Sequence, residues 1–150
     1  MYYSGKKKRH TAVKNQIMVN NRGYILHTIG YKKGKRHDYD IYKTDHPSTP
    51  KQVVNVVDLG YLGIEKDFPE QLSVLPYRKK KNLDLSQEEK EYNKYYSKKK
   101  RIVIEHTICR LKKYSRILSD VFRNKLMKKY NKVSDIVAGL VNYRIMKQHH

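Results

Sequence analysis

The chain has few of the residues on which small secreted proteins and membrane proteins depend. It contains one cysteine, Cys109, and no tryptophan in 150 residues. A single cysteine excludes a disulfide framework and a zinc site built from several cysteines. No run approaches the ~20 apolar residues of a membrane span, and no signal-like apolar stretch follows the N-terminus. We therefore expect a soluble, cytoplasmic protein in which Cys109 is buried as a small apolar residue of a helix.

Acidic residues are also scarce, which gives the chain a large positive charge. Its 14 aspartate and glutamate residues stand against 34 lysine and arginine residues, for a formal net charge of +20. That charge exceeds what solubility requires and favours a polyanionic partner. Nucleic acid is favoured over a membrane surface, because no apolar membrane segment is present. The densest basic cluster between elements, residues 78–81, is typical of a solvated loop when considered alone.

The apolar pattern changes midway along the chain. Before Pro76 the apolar residues alternate or form short β-branched runs, which predicts strands, whereas later residues follow helical spacing. We expect a single α/β domain over residues 1–150, with mainly strands to about residue 64 and mainly helices over about 86–147. The predicted strands are His10–Val19 and Tyr24–Ile29, joined by a turn at 20–23, and a buried strand at Val53–Val57. The predicted helices are a short one from Asp38, one capped by Ser86, a segment Lys100–Lys113 that continues it or starts anew, and Val133–Met146.

Two acidic residues allow both a structural and a functional interpretation. Asp58 follows a predicted strand, where α/β sheets hold their ligands, but it could equally begin a turn through its own side chain. Glu105 stands alone in the basic segment Lys100–Ile117. It is either an i,i+4 ion-pair partner of Arg101 or a carboxylate that holds a divalent metal against nucleic acid. The local pattern leaves both alternatives open for each residue.

Fourteen tyrosines make the expected core unusual. A tyrosine ring can pack in a core while its hydroxyl reaches water or a polar partner. Tyr61, Tyr95 and Tyr96 could also stack on unpaired bases, although core packing is the more ordinary role for each of them.

Five segments of the chain carry a recognisable pattern: Tyr2–His27, Gly34–Lys43, Val56–Ile64, Lys100–Leu118 and Ile136–Ile145. Together they resemble the C-terminal catalytic half of insertion-sequence DDE transposases. The similarity extends to the DDE superfamily endonucleases, which include Harbinger-like nucleases. It implies an RNase H-like mixed sheet with C-terminal helices. It also implies metal-dependent DNA strand cleavage and transfer in transposition, with two Mg²⁺ or Mn²⁺ ions in the complete enzyme, in a bacterial or archaeal cell. The five segments occur in the family order.

The resemblance assigns roles to three carboxylates. Asp58, in Asp-Leu-Gly-Tyr, matches the family motif Asp-x-Gly-Tyr, whose aspartate ends a central strand and binds metal. Glu105 matches the final glutamate, which lies on a helix. Asp38, beside His37, matches a His-Asp motif that resembles an additional metal-site carboxylate. The resemblance thus implies that Asp58 and Glu105 are catalytic and that all three carboxylates bind metal.

Basic residues around Glu105 extend the match. Arg101, four residues earlier, and Lys112, seven residues later, match basic residues that flank the family's glutamate. Lys98 stands where the family has a tyrosine. Because lysine and arginine bind phosphates by releasing counterions, we expect contacts with the DNA backbone from six residues: Arg101, Arg110, Lys112, Lys113, Lys79 and Lys80.

The family's first catalytic aspartate has no counterpart in this sequence. It lies on a first strand ahead of the segment that matches, and the earliest acidic residue here is Asp38. We therefore expect a catalytic domain without its first strand, its first aspartate and its N-terminal DNA-binding region. Such a chain could be a downstream reading frame joined to an upstream segment, or an inactive remnant that only binds nucleic acid. The expected partners are transposon-end DNA, target DNA, an upstream-frame segment and a second copy of the chain.

Overall fold

A computed structural model describes residues 13–33, 36–96, 101–114, 116–117 and 127–148. The architecture is mixed α/β, as predicted, with small sheets and several helices. Among the described helices, none has the length and apolar character needed to cross a bilayer. The elements are β1 (Val13–Val19), β2 (Ile25–Lys33), α1 (Asp38–Thr44), β3 (Asn55–Val56), a 3₁₀ turn (Leu59–Tyr61), α2 (Ile64–Asp67), β4 (Ser73–Val74), α3 (Gln87–Tyr96), α4 (Ile102–Lys112) and α5 (Met127–Gln148).

The chain divides into two compact units. The first unit comprises residues 1–46 and 103–150, and the second comprises residues 47–102. The hairpin, α1, almost all of α4, and α5 belong to the first unit, and the remaining elements belong to the second. Asp38 and Glu105 therefore lie in the first unit, whereas Asp58 lies in the second.

The first unit is built on the predicted hairpin of β1 and β2, which is confirmed. Asn20 fixes the turn, because its Oδ1 accepts the backbone N–H groups of Arg22 and Tyr24, both at 3.0 Å. Gly23 has a φ of +85°, a left-handed conformation that residues with a side chain rarely adopt. The strands are antiparallel, and their opposed pairs include Val13 and Lys33, Ile17 and Thr28, and Val19 and Ile25.

Helix α5 packs on the hairpin and forms the core of this unit. Its buried residues recur at about one helical turn, as expected when one face of a helix covers a sheet. Burial of one such aliphatic side chain contributes roughly 1.5–3 kcal/mol. The core residues are Ile25, Ala138, Val141 and Ile145, with Ile17, Val19, Tyr24, Leu111 and Tyr114 packed around them.

A side-chain amide also joins α5 to β2. Asn142 Oδ1 accepts the N–H of Ile25 at 2.7 Å, and Asn142 Nδ2 donates to the carbonyl of Ile25 at 2.9 Å. Ile25 is buried. Its two backbone groups would therefore lose water without compensation if this amide were absent.

In the second unit, helix α3 lies beside a short parallel pair of strands. β3 and β4 pair with Val56 opposite Val74. The predicted cap at Ser86 is confirmed as a reciprocal capping box. Ser86 Oγ accepts the N–H of Glu89 at 3.1 Å, and Glu89 Oε2 accepts the N–H of Ser86 at 2.8 Å.

Helix α3 holds the chain at Tyr77 in the way that α5 holds β2. Asn93 Oδ1 accepts the N–H of Tyr77 at 2.8 Å, and Asn93 Nδ2 donates to the carbonyl of Tyr77 at 2.9 Å. The Tyr77 ring also meets the edge of Tyr92, with the ring centroids 5.1 Å apart. Both units therefore anchor a helix to another segment through a bidentate asparagine.

The prediction of a buried strand at Val53–Val57 is wrong. Only β3 is a strand within it, and the three valines nearest to Asn55 are between 40% and 50% exposed. The buried side chain is that of Asn55, whose Nδ2 donates to Thr49 Oγ1 at 3.0 Å. Valine has a high β propensity because it packs well on a buried face of a sheet. In this segment the buried side chain is that of Asn55, and the neighbouring valines face solvent.

Two further expectations are corrected. The described strands form two two-stranded sheets, so the three predicted strands are not joined in one sheet. β4, the partner of β3, has only two residues, too few for an alternating pattern to reveal it. Cys109 is exposed, because the fully buried residue of α4 is Thr107 and two residues along a helix turn the side chain by about 200°.

Several predicted features lie outside the described residues. These are the beginning of the first predicted strand before Val13, and the segment 97–100 with Lys98.

The predicted C-terminal helix is confirmed, and it is longer at both ends than Val133–Met146.

Candidate functional site

Asp58 follows β3 and opens the 3₁₀ turn. Its Oδ1 accepts the N–H of Leu59 at 2.8 Å, and its carbonyl accepts the N–H of Tyr61 at 2.9 Å. The turn-forming interpretation of Asp58 is therefore confirmed. It does not compete with metal binding, because a carboxylate has about four acceptor positions and this hydrogen bond occupies one of them.

The second oxygen of Asp58 faces a cation. Arg101 Nη2 lies 3.9 Å from Asp58 Oδ2, and the two side chains are 47% and 54% exposed. An ion pair that is this long and exposed is worth at most about 1 kcal/mol. The carboxylate is therefore accessible, and the arginine would not prevent a stronger ligand from binding it.

Tyr96 anchors the backbone immediately before Asp58. It ends α3, is 4% exposed, and its hydroxyl donates to the carbonyl of Val57 and, at 3.3 Å, to that of Val74. Burial, assisted by the Asp58 carboxylate, raises the pKa of Tyr96 to about 12, so the hydroxyl remains a donor. The core-packing role considered for Tyr96 is confirmed, and the buried ring is not available to stack on bases.

We expect Tyr96→Phe to lower the free energy of unfolding by about 1–2 kcal/mol, because the ring packing stays and the hydroxyl hydrogen bonds are lost. The raised pKa favours the protonated hydroxyl in the folded state. The contribution of Tyr96 should therefore be complete below pH 10 and be lost as the pH rises to about 12. Urea denaturation at about pH 8 and about pH 11 measures both effects.

Tyr143→Phe is the matched control, since that tyrosine is 57% exposed. Its free energy of unfolding should change by less than about 0.5 kcal/mol. Equal losses in the two variants would contradict the anchoring role of Tyr96.

Glu105 and Asp38 both lie in first turns of helices. Glu105 is exposed near the start of α4, and Asp38 is the first residue of α1. The helix predicted to begin at Asp38 is confirmed, and the acidic first turn suits the helix dipole. The carbonyl of Asp38 accepts a hydrogen bond from Gln16 Nε2 at 2.5 Å, which ties the start of α1 to β1.

The predicted metal ligands are carboxylates, which suit a hard cation such as Mg²⁺. Among the described residues, however, the structure does not bring them together in one cluster. Carboxylate oxygens are the protein ligands that Mg²⁺ prefers. Among the residues that the structure describes, no three His, Cys, Asp or Glu side chains form a group that could hold a metal. Because Asp58 and Glu105 belong to different units, their shared role stays a prediction.

Lys79 and Lys80 lie in an exposed basic loop of the second unit. Arg78, Lys79, Lys80 and Lys81 line an open concavity of about 360 Å³. Lys79 pairs with Asp84 at 2.5 Å, but both side chains are more than 60% exposed, so the pair is weak. The solvated-loop interpretation is confirmed, and an exposed loop of four cations can also meet phosphates.

The basic residues of α4 fall into two groups. Lys112, the last residue of α4, and Lys113, which follows it directly, are exposed. Arg110 is half-buried and lines an open concavity of about 350 Å³ together with Asn21, Arg22, Val103 and His106. Asn21 and Arg22 were not predicted to line a site, because the α4 residues beside them are more than 80 positions away in the chain. The turn signal at Gly23 was the one available sign.

Comparisons with known proteins agree with the resemblance seen in the sequence. Residues 1–142 match the family described as DDE superfamily endonuclease. Over 144 residues the chain is 34% identical to a protein of Microchaete diplosiphon described as a probable transposase for insertion sequence element IS702. That alignment covers 96% of this chain and 50% of the relative, so the chain spans about half the length of that protein. No solved structure matches the chain significantly.

Proposed function

Because the chain belongs to the DDE superfamily endonucleases, we propose that it supplies the part of an insertion-sequence transposase that carries Asp58 and Glu105. The proposed reaction is the cleavage and transfer of DNA strands during transposition. The observation that carries the proposal is the setting of Asp58, an exposed carboxylate on a backbone held by Tyr96 before it and by the 3₁₀ turn after it. Such anchoring is what a metal ligand needs to keep its geometry.

The members of this family use divalent metal ions, and the proposal assigns Asp58, Glu105 and Asp38 as ligands in this chain. Mg²⁺ or Mn²⁺ is proposed, with two ions in the complete enzyme. When bound, the ions would activate the attacking water and stabilise the leaving oxygen of the phosphodiester. We further propose an RNase H-like arrangement for the domain of residues 1–150.

The residues of the chain itself orient the metal ligand and bind DNA. The N–H of Leu59 holds one oxygen of Asp58, which sets the direction of the other. Arg101 lies beside that second oxygen, is exposed, and is proposed to contact a DNA phosphate. The remaining proposed backbone contacts come from Arg110, Lys112, Lys113, Lys79 and Lys80. They would supply affinity without reading sequence.

The proposed partners are transposon-end and target DNA, the remaining half of the transposase and a second copy of the chain. A protein that acts on cellular DNA in this way would work in the cytoplasm, near the nucleoid. The chain spans about half the length of the IS702 relative.

We expect the isolated chain to nick supercoiled plasmid poorly with Mg²⁺ or Mn²⁺, and the chain extended by the segment encoded upstream to nick it readily. The reason is that two metal ions need carboxylates from several elements, and an incomplete set cannot hold both. Agarose electrophoresis of nicked and supercoiled plasmid measures the difference, with EDTA as the control. DNA binding without nicking by either protein would instead support a basic nucleic-acid-binding module.

A further inference from the structure

Helix α4 packs directly on the turn of the hairpin. Thr107 is fully buried, and its hydroxyl lies 3.0 Å from the carbonyl of Gly23 and 3.1 Å from that of Val103. A Cβ atom at Gly23 would lie 3.1 Å from Thr107 Oγ1 and 3.4 Å from Arg110 Nη1. The missing side chain therefore allows this close contact, and the contact fixes the helix relative to the turn.

The contact creates a concave surface that we call the turn–helix notch. It has a volume of about 350 Å³. His106 and Arg110 are four residues apart, so they lie on the same face of α4 and point toward the turn. The notch is lined by Asn21 and Arg22 from the turn and by Val103, His106 and Arg110 from the helix.

The charge of the notch is positive. Two arginines line it, and none of the five lining residues is acidic. Within the described part of the chain, neither Arg22 nor Arg110 forms an ion pair. Arg110 is nevertheless half-buried. A guanidinium that is partly withdrawn from water, without a carboxylate beside it, attracts an anion more strongly than one fully exposed.

We infer that the turn–helix notch binds one backbone phosphate of DNA. Each guanidinium presents a planar fork of N–H donors that matches phosphate oxygens, and the Asn21 amide and the His106 ring can add donors. The volume lies at the low end of the range for small-ligand sites, which suits one phosphate with its sugar against Val103. The net charge of +20 favours a polyanion over a short acidic peptide.

The inference deepens the proposed function and rests on it for the source of the phosphate. Glu105 directly precedes His106 on α4, so the notch and the proposed metal ligand share one helical turn. A phosphate held by Arg22 and Arg110 would fix the path of a DNA strand relative to Glu105. Because the contact is with the backbone, it would position the strand without reading its sequence.

The test compares two double variants of the chain that each remove two positive charges. The first is Arg22→Gln with Arg110→Gln, and the control is Lys132→Gln with Arg144→Gln, two exposed residues of α5. Fluorescence anisotropy with a labelled DNA duplex gives the affinity at several salt concentrations. We expect the notch variant to bind about tenfold more weakly than the control, and its slope of log K against log salt to be smaller by about 0.9, the loss of one phosphate contact.

Two single variants guard against a loss of folding at the half-buried Arg110. Arg22→Gln changes an exposed side chain and should weaken binding more than Lys132→Gln does. Gly23→Ala keeps every charge but crowds Thr107 and Arg110, so it should weaken DNA binding while the net charge is unchanged. Thermal melting of each variant identifies any that is unfolded.

The outcomes separate this inference from the proposed function. Equal affinity losses and equal salt slopes in the two double variants would overturn the notch, even if the extended chain nicks DNA. A selective loss in the notch variant, with no nicking by the extended chain, would support the notch and contradict the nuclease.

Discussion

Asp58→Asn and Glu105→Gln should each lower plasmid nicking by the extended chain more than about 100-fold. Loss of an outer partner of a metal ligand already costs 10–100-fold in metal affinity or activity, and these changes remove a proposed ligand itself. DNA binding should stay the same or become slightly tighter, because each variant removes a negative charge near the phosphates. Nicking is followed on agarose gels, and binding by anisotropy.

The Asp58→Asn change is structurally conservative in this setting. The amide oxygen of an asparagine can still accept the N–H of Leu59, so the 3₁₀ turn should persist. The ion pair with Arg101 would be lost, but it is long and exposed and contributes little. A loss of nicking would therefore report the loss of a carboxylate ligand rather than a collapse of the turn.

Matched controls come from other exposed carboxylates. Asp40→Asn on α1 and Glu65→Gln on α2 remove the same charge from exposed positions to which no catalytic role is assigned. They should leave nicking within about twofold of the unmodified protein. Nicking that survives both Asp58→Asn and Glu105→Gln would show that these carboxylates do not carry the chemistry.

The affinity of the chain for duplex DNA should fall by about 10³–10⁵ between about 50 and 200 mM salt. This range corresponds to roughly 6–10 phosphate contacts, each of which releases counterions. The six proposed basic contacts, together with Arg22 beside Arg110 in the turn–helix notch, supply a number of this order. Anisotropy titrations over that range of salt measure the slope directly.

The same titrations test sequence preference. Contacts with phosphates position a protein without distinguishing bases. Duplexes carrying the ends of the element and unrelated duplexes of equal length should therefore bind within about threefold of each other. An affinity that does not depend on salt, or tight binding to one sequence alone, would contradict this account.

Local signals in the sequence predicted local structure well. The hairpin was predictable because Asn20 and Gly23 determine their own turn through side-chain acceptance and a positive φ. The cap of α3 was predictable because Ser86 and Glu89 are three residues apart. The pairing of β3 with β4 was not, since both strands have two residues and their pairing depends on distant contacts.

In the candidate site, too, local features were predictable from the sequence and contacts between distant residues were not. Asp58 is a predicted site residue on the basis of a short motif, and its confirmed turn depends on the adjacent Leu59. Core packing of Tyr96 was foreseen, but the hydrogen bonds of its hydroxyl were not, because the acceptors Val57 and Val74 are 39 and 22 residues away. The turn–helix notch depends on a contact between Thr107 and Gly23, which are 84 residues apart, so no local sequence pattern predicts it.

Asn142 on α5 and Asn93 on α3 each form two hydrogen bonds with the backbone of one residue, and these bonds select one packing of each helix. Helix α5 has apolar side chains on its exposed side as well, including Ile136, Leu140 and Tyr143. Apolar burial alone would therefore tolerate a rotated or shifted helix at little cost. Two hydrogen bonds from Asn142 to the Ile25 peptide can form at only one rotation and one height of α5 along β2. The polar side chain of Asn142 therefore selects one register of α5 on β2, whereas apolar burial alone would allow several.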